Sequence, residues 1–92
     1  MDSREITIVV NTFKSEDKIH NCLKSISPNY KVIVVENSSD EKFKDNLEQK
    51  YPNIECILTN SNLGYAKGNN LGLSRVKTKF ALILNPDAAL EE

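Results

Sequence analysis

The sequence predicts an α/β domain: an open, mostly parallel Rossmann-like sheet in strand order 3-2-1-4, with helices on both faces. Three observations predict it. Four short runs rich in Val, Ile and Leu, at 5–11, 31–36, 54–59 and 80–84, have the composition of strands in a parallel sheet. Segments with polar, helix-like spacing alternate with them, joined by short loops. A β-α-β-α-β-α-β pattern of this kind builds a parallel sheet through right-handed crossovers. The chain is expected to double back between its third and fourth strands, which puts the reversal of strand order between strands one and four.

The first strand, 5–11, is β-branched and mostly apolar. Ser15 is placed to cap the helix that follows, and Glu16 and Asp17 sit where the helix dipole favours anions. Ile19, Cys22, Leu23 and Ile26 recur at i, i+3, i+4 and i+7, one apolar helical stripe. Ser27-Pro28-Asn29 stops that helix. The second strand, 31–36, leads into the polar turn Asn37-Ser38-Ser39-Asp40, where Ser39 or Asp40 caps a helix carrying Phe43 and Leu47. Tyr51-Pro52-Asn53 closes that helix and 54–59 is the third strand. The loop Asn60-Ser61-Asn62-Leu63-Gly64 opens a third helix, from about Tyr65 to Val76, whose Gly68 and Gly72 admit a close neighbour or ligand. The run 80–84 has no polar alternation and reads as a strand buried on both faces, ended by Asn85-Pro86 because proline cannot extend a ladder. The first two helices are expected on one face and the third on the other.

The totals bound the function. Twelve Lys and Arg against 13 Asp and Glu leave a net charge of -1, so no electrostatic case exists for nucleic acid or an anionic membrane surface. No apolar run approaches the length of a membrane span, no basic-then-apolar leader is visible, and Cys22 and Cys56 read as buried reduced thiols. His20 reads as a solvated helix residue. The expected location is cytoplasmic. The 92 residues read as a single domain, 1–92, and as the first part of a larger fold, because so short a chain buries only about two-thirds of its unfolded surface.

Four features point to a phosphorylated nucleotide ligand at the strand ends, where open α/β sheets bind ligands. Glu36 ends a strand and offers an acceptor to a ribose or base. Thr12 and Phe13 offer a hydroxyl and a flat apolar surface. The segment from Gly64 to Gly68 leads into a helix N-terminus, with Lys67 adding charge. Asp87, past the fourth strand, is placed to hold a cation against a diphosphate. The first turn, Asn11-Thr12-Phe13-Lys14-Ser15, lacks glycine, which excludes both the dinucleotide fingerprint and the P-loop. A phosphoacceptor receiver would place acidic residues where this chain has Asn11-Thr12 and Thr59-Asn60.

Residues 10–16, 34–40 and 60–70 and the turn Leu84-Asn85-Pro86-Asp87 resemble, in order and near spacing, the family 2 glycosyltransferases of nucleotide-diphospho-sugar transferase (GT-A) fold. The likeness is to the rhamnosyltransferase-like branch in particular. The resemblance implies a truncated GT-A fold and transfer of a sugar from a nucleotide-diphospho-sugar, metal-assisted and inverting. It implies that Thr12, Phe13 and Glu16 line the nucleoside pocket and that Glu36 takes the place of an Asp contacting base or ribose. It places Asn62, Gly64, Lys67 and Asn70 along the nucleotide and diphosphate wall. Asp87 would ligate Mg²⁺ or Mn²⁺ in a DXD-like turn, with Asn85 at the position of its first Asp. Glu36, Lys14 (for Asn) and Asn11 (for an apolar residue) depart from the pattern. The general base of the family lies after Asp-x-Asp, so this chain alone is expected to be the donor half, without its catalytic base. The alternative is a truncated non-catalytic nucleotide-binding or interaction module. Strand four, left as an apolar edge, predicts self-association as a homodimer. Peripheral association of a full-length parent with the cytoplasmic face of the membrane stays open.

Overall fold

The computed structural model describes residues 3–14 and 16–86, with backbone alone at Ser3, Glu16 and Tyr65. After a short 3-10 turn, Ser3–Glu5, the elements are β1 Ile6–Thr12, α1 Glu16–Lys24, β2 Lys31–Glu36, α2 Glu41–Lys50, β3 Ile54–Leu58, α3 Gly64–Ser74 and β4 Phe80–Leu84. The four strands form one sheet in the order β3-β2-β1-β4, and each pairing is parallel. The expected class, order and chain reversal are all present.

Side-chain alternation along β1 and β2 explains how one sheet serves two layers. Ile8, Val10, Val32 and Val34 join Ile54 and Cys56 against Ile19, Cys22, Leu23 and Ile26 of the α1 stripe and Phe43 and Leu47 of α2. Ile19, Cys22 and Leu47 are fully buried, and a residue such as Leu47 contributes ~1.5–3 kcal/mol by leaving water. On the other face Val9 and Val35 meet α3 at Gly72. A Cβ there would fall 2.5 Å from Val9 Cγ1 and 3.1 Å from Val35 Cγ2, so the missing side chain is what lets the helix lie on the sheet.

Local chemistry sets the ends. Asp40 caps α2 by accepting the Phe43 N–H at 3.0 Å. Tyr51 N–H closes the last turn on Leu47 O at 2.9 Å, just before Pro52. The α3 helix stops at Ser74, two residues short of expectation, because Arg75 and Val76 N–H tighten onto Gly72 and Leu73 carbonyls. The expected cap Ser15 lies outside the described residues. Among the described residues no helix is long and apolar enough to cross a membrane.

Two expectations are corrected. The run 80–84 is a strand, but not one buried on both faces: Phe80, Leu82 and Ile83 are 43%, 45% and 39% exposed. The reason is position, since among the described residues β4 pairs only with β1, at the sheet edge, while α3 packs over β1 and β2. His20 is not a solvated helix residue. It is half-buried, its Nδ1 3.1 Å from Tyr51 Oη, because the residue closing α2 leans onto α1. Cys22 and Cys56 are free and buried, as expected. Burial pushes both thiols up, Cys56 to about 12, so neither is a thiolate at neutral pH.

Candidate functional site

The carboxyl ends of β1, β2 and β3 open onto a cleft of about 530 Å³. Phe13 and Lys14 from the β1–α1 loop form one wall, 37–40 from the β2–α2 loop the floor, and 60–62 before α3 the other wall. Phe13 is 46% exposed, so a large flat apolar ring faces solvent at the cleft, with Lys14 Nζ 5.4 Å from its centroid. Lys14 and Asn60, both in the lining, have left-handed backbone, φ 51° and 64°. That conformation costs a lysine more than an asparagine, and strain of this sort collects at binding loops.

Beneath the cleft, Thr12 and Glu36 are register partners at the ends of β1 and β2. Glu36 is almost fully buried. Its carboxylate accepts the Lys14 N–H at 3.2 Å on Oε1 and the Ser38 hydroxyl on Oε2, so it ties the first two loops together from below. A carboxylate has about four acceptor positions, so two remain. Thr12 is 3% exposed, and its Oγ1 is buried without a hydrogen-bond partner among the described residues. An orphaned hydroxyl beside a ligand cleft is a group that a ligand or water can satisfy.

The cleft unites some of the expected site residues. Phe13 and Asn62 line it, Thr12 and Glu36 underlie it, and Gly64, φ 82°, begins α3 beside it with its N–H held by Asn62 Oδ1 at 3.1 Å. Lys67 and Asn70 lie further along α3, exposed and away from the lining. Glu16 starts α1, its side chain outside the description. Asn85, past β4, has its carbonyl 3.8 Å from Cys22 Sγ. Asp87, the expected metal ligand, lies outside the described residues. Among those described no group of three His, Cys, Asp or Glu side chains could hold a metal ion.

Residue-type reasoning overlooked Asn37, which is 3% exposed and bonded to Asn11 and Thr12 at the end of β1 and to Leu63 before α3. Its signal was available: a polar residue directly after a strand adjacent to the first. A larger hollow, about 600 Å³, runs along the outer flank of β3. Arg75 pairs there with Glu55 at 3.7 Å and Lys44 with Glu48 at 2.8 Å, and the hollow reaches the β3 tip at Leu58 and Asn60, where it adjoins the cleft.

Comparison with known proteins agrees with this geometry. The glycosyl transferase family 2 model matches residues 7–92. The low-salt glycan biosynthesis hexosyltransferase Agl10 of Haloferax volcanii is 30% identical over 96% of this chain, which spans 29% of that relative's length. Crystal structures of S. aureus TarS share the fold. Residues 1–349 superpose with TM-score 0.77 at 21% identity, over 92% of this chain and 28% of that 1–349 chain. The form in complex with UDP gives 0.74 at 22%, over 90% and 27%. A sheet wound 3-2-1-4, a cleft on the tips of its first three strands and a family match over nearly every residue lead to one assignment: the chain belongs to glycosyl transferase family 2.

Proposed function

We propose that the chain is the donor-binding portion of a glycosyltransferase that moves a sugar from a nucleotide-diphospho-sugar to an acceptor, metal-assisted and with inversion. The observation that carries this reading is the cleft itself: an exposed aromatic ring lines it, and buried beneath it at the strand tips of a family 2 chain lie the Glu36 carboxylate and a Thr12 hydroxyl with no partner among the described residues. The TarS complex with UDP is a fold relative of the same kind. In this reading the base lies on Phe13, Thr12 and Glu36 face the nucleoside, and Asn62 and Gly64 border the ribose and diphosphate. Lys67, Asn70 and Asn85 act further out, and Asp87 supplies the carboxylate for Mg²⁺ or Mn²⁺. The cation would neutralise the leaving diphosphate, and a base on the acceptor side would have to come from elsewhere in the whole protein.

Calorimetric titration with UDP-, dTDP- and GDP-sugars, each with Mn²⁺ and with EDTA, tests this. Binding of one nucleotide class is expected, weakened by EDTA and by Asp87→Asn. A folded protein that binds none of them overturns the reading.

A further inference from the structure

The turn that carries Asn62 is gripped at both of its peptides by two asparagines. Asn37 Oδ1 accepts the Leu63 N–H at 3.0 Å, and Asn11 Nδ2 donates to the Gly64 carbonyl at 3.2 Å. The two amides are joined to each other, Asn37 Nδ2 donating to Asn11 Oδ1 at 2.5 Å, and Asn37 Nδ2 also donates to the Thr12 carbonyl at 2.9 Å. The end of β1, the start of the β2–α2 loop and the start of α3 are therefore fastened through one pair of side chains.

Within the turn itself, Asn62 Oδ1 accepts the Gly64 N–H at 3.1 Å. The residue preceding α3, Leu63, offers no side-chain cap. One turn further along, Gly68 leaves space for the pair: a Cβ there would lie 2.2 Å from Asn11 Oδ1. The chemistry demands amides. Each supplies a donor and an acceptor on one rigid plane, whereas a carboxylate at 37 would set lone pairs against the Thr12 carbonyl and Asn11 Oδ1. The backbone N–H of Asn37 bonds to Thr12 O at 2.9 Å whatever the side chain, so the end of the β1–β2 ladder does not depend on the amide.

We infer that Asn37 and Asn11 are the positioning pair for the donor: by fixing the 62–64 turn relative to β1 they set the distance between the Asn62 wall and the Phe13 wall, and so the fit of the nucleotide. This rests on the donor-site reading above. A loose turn would have to be ordered by the ligand, and that cost comes out of affinity.

The test compares wild type with Asn37→Ala, Asn37→Asp and Asn11→Ala at a temperature where circular dichroism shows each folded. Titrations use UDP-glucose, dTDP-glucose and GDP-mannose with Mn²⁺, alongside hydrogen exchange at the Leu63 amide. Asn37→Ala and Asn37→Asp are expected to weaken the preferred donor about tenfold, the loss of one or two buried hydrogen bonds. Leu63 exchange should rise in Asn37→Ala but much less in Asn37→Asp, which keeps the acceptor. Variants that melt earlier yet bind with unchanged affinity when folded make the pair merely structural and overturn the inference. If wild type binds none of the donors, the donor reading fails by itself. Exchange then decides, and an unchanged Leu63 rate in Asn37→Ala overturns the positioning role. Should the Asn37 variants not fold, Asn11→Ala, at a half-exposed residue, carries the comparison through the same two readouts.

Discussion

A single methyl group at position 68 would collide with the Asn11 amide, 2.2 Å from Oδ1 and 2.6 Å from Cγ. Inserting atoms into a packed contact of this kind costs ~1–3 kcal/mol. Gly68→Ala is therefore expected to lower the urea midpoint, although alanine is the better helix former by about 1 kcal/mol. In an Asn11→Ala background the space is open, and the same substitution should become neutral or stabilising. Additive effects in the double variant would show that the two residues do not share that space. The sequence marked Gly68 and Gly72 as places of close approach, but not what approaches them. The answer, Asn11 for one and Val9 for the other, depends on how α3 lies across β1, which no single segment encodes. Thr12, Phe13 and Glu36 were legible as strand-end residues for a simpler reason: strand ends follow from local pattern, and parallel winding puts those ends on one rim. That Glu36 would turn its carboxylate onto Lys14 N–H and Ser38 was not legible, since it follows from two loop conformations.

The α2 helix shows what an element does beyond burying Phe43 and Leu47. Lys44 and Glu48, one turn apart, pair at 2.8 Å and also reach the outer edge of β3: Lys44 Nζ donates to Cys56 O at 2.6 Å, and Cys56 N–H donates to Glu48 Oε2 at 2.9 Å. The helix thus occupies the ladder positions a further strand would use. The sequence shows the i, i+4 pair plainly and hides its second role, because β3 lies beside α2 only after the crossover is made. Burial works to raise the Glu48 carboxyl, but the bonds from Lys44 and Cys56 N–H outweigh it and hold it below its ordinary 4.5. The Lys44 ammonium is held above its ordinary 10.5 chiefly by the bond to Glu48. A lowered carboxyl stabilises the fold above its unfolded value, and that contribution disappears as pH falls through its folded value. A raised ammonium stabilises below its unfolded value, and that contribution disappears as pH climbs through its folded one. The stability difference between wild type and Glu48→Gln should hence be flat from about pH 6 to 9 and shrink below about pH 4. Both side chains are about one-third exposed, so 1 M salt should reduce the difference. A difference independent of pH across the acid limb would show that the charge contributes nothing.

The two edges of the whole sheet are unlike. At β3 the Cys56 peptide groups are occupied by α2, and Glu55 stands between Lys31 at 3.6 Å and Arg75 at 3.7 Å, charges that resist strand addition. At β4 the five residues Phe80–Leu84 are uncharged, pair on one side with β1, and leave Phe80, Leu82 and Ile83 between 39% and 45% exposed. This asymmetry was half legible. The pattern 80–84 announces an apolar strand, but a central strand and an uncovered edge strand read alike, so strand order and not composition had to say which it is. The expected self-association rests on this asymmetry. Growth at β3 is disfavoured, and an uncharged strand at β4 can meet its own copy about a two-fold axis, antiparallel, with the same patch on both sides. Sedimentation at tens of micromolar should then show a dimer that dissociates in Leu82→Lys, while Lys44→Ala leaves the interface in place. Leu82 is exposed in the single chain, so the lysine has little effect on the fold itself. A wild-type monomer at that concentration, or a dimer indifferent to the lysine, would place any self-association elsewhere than on β4.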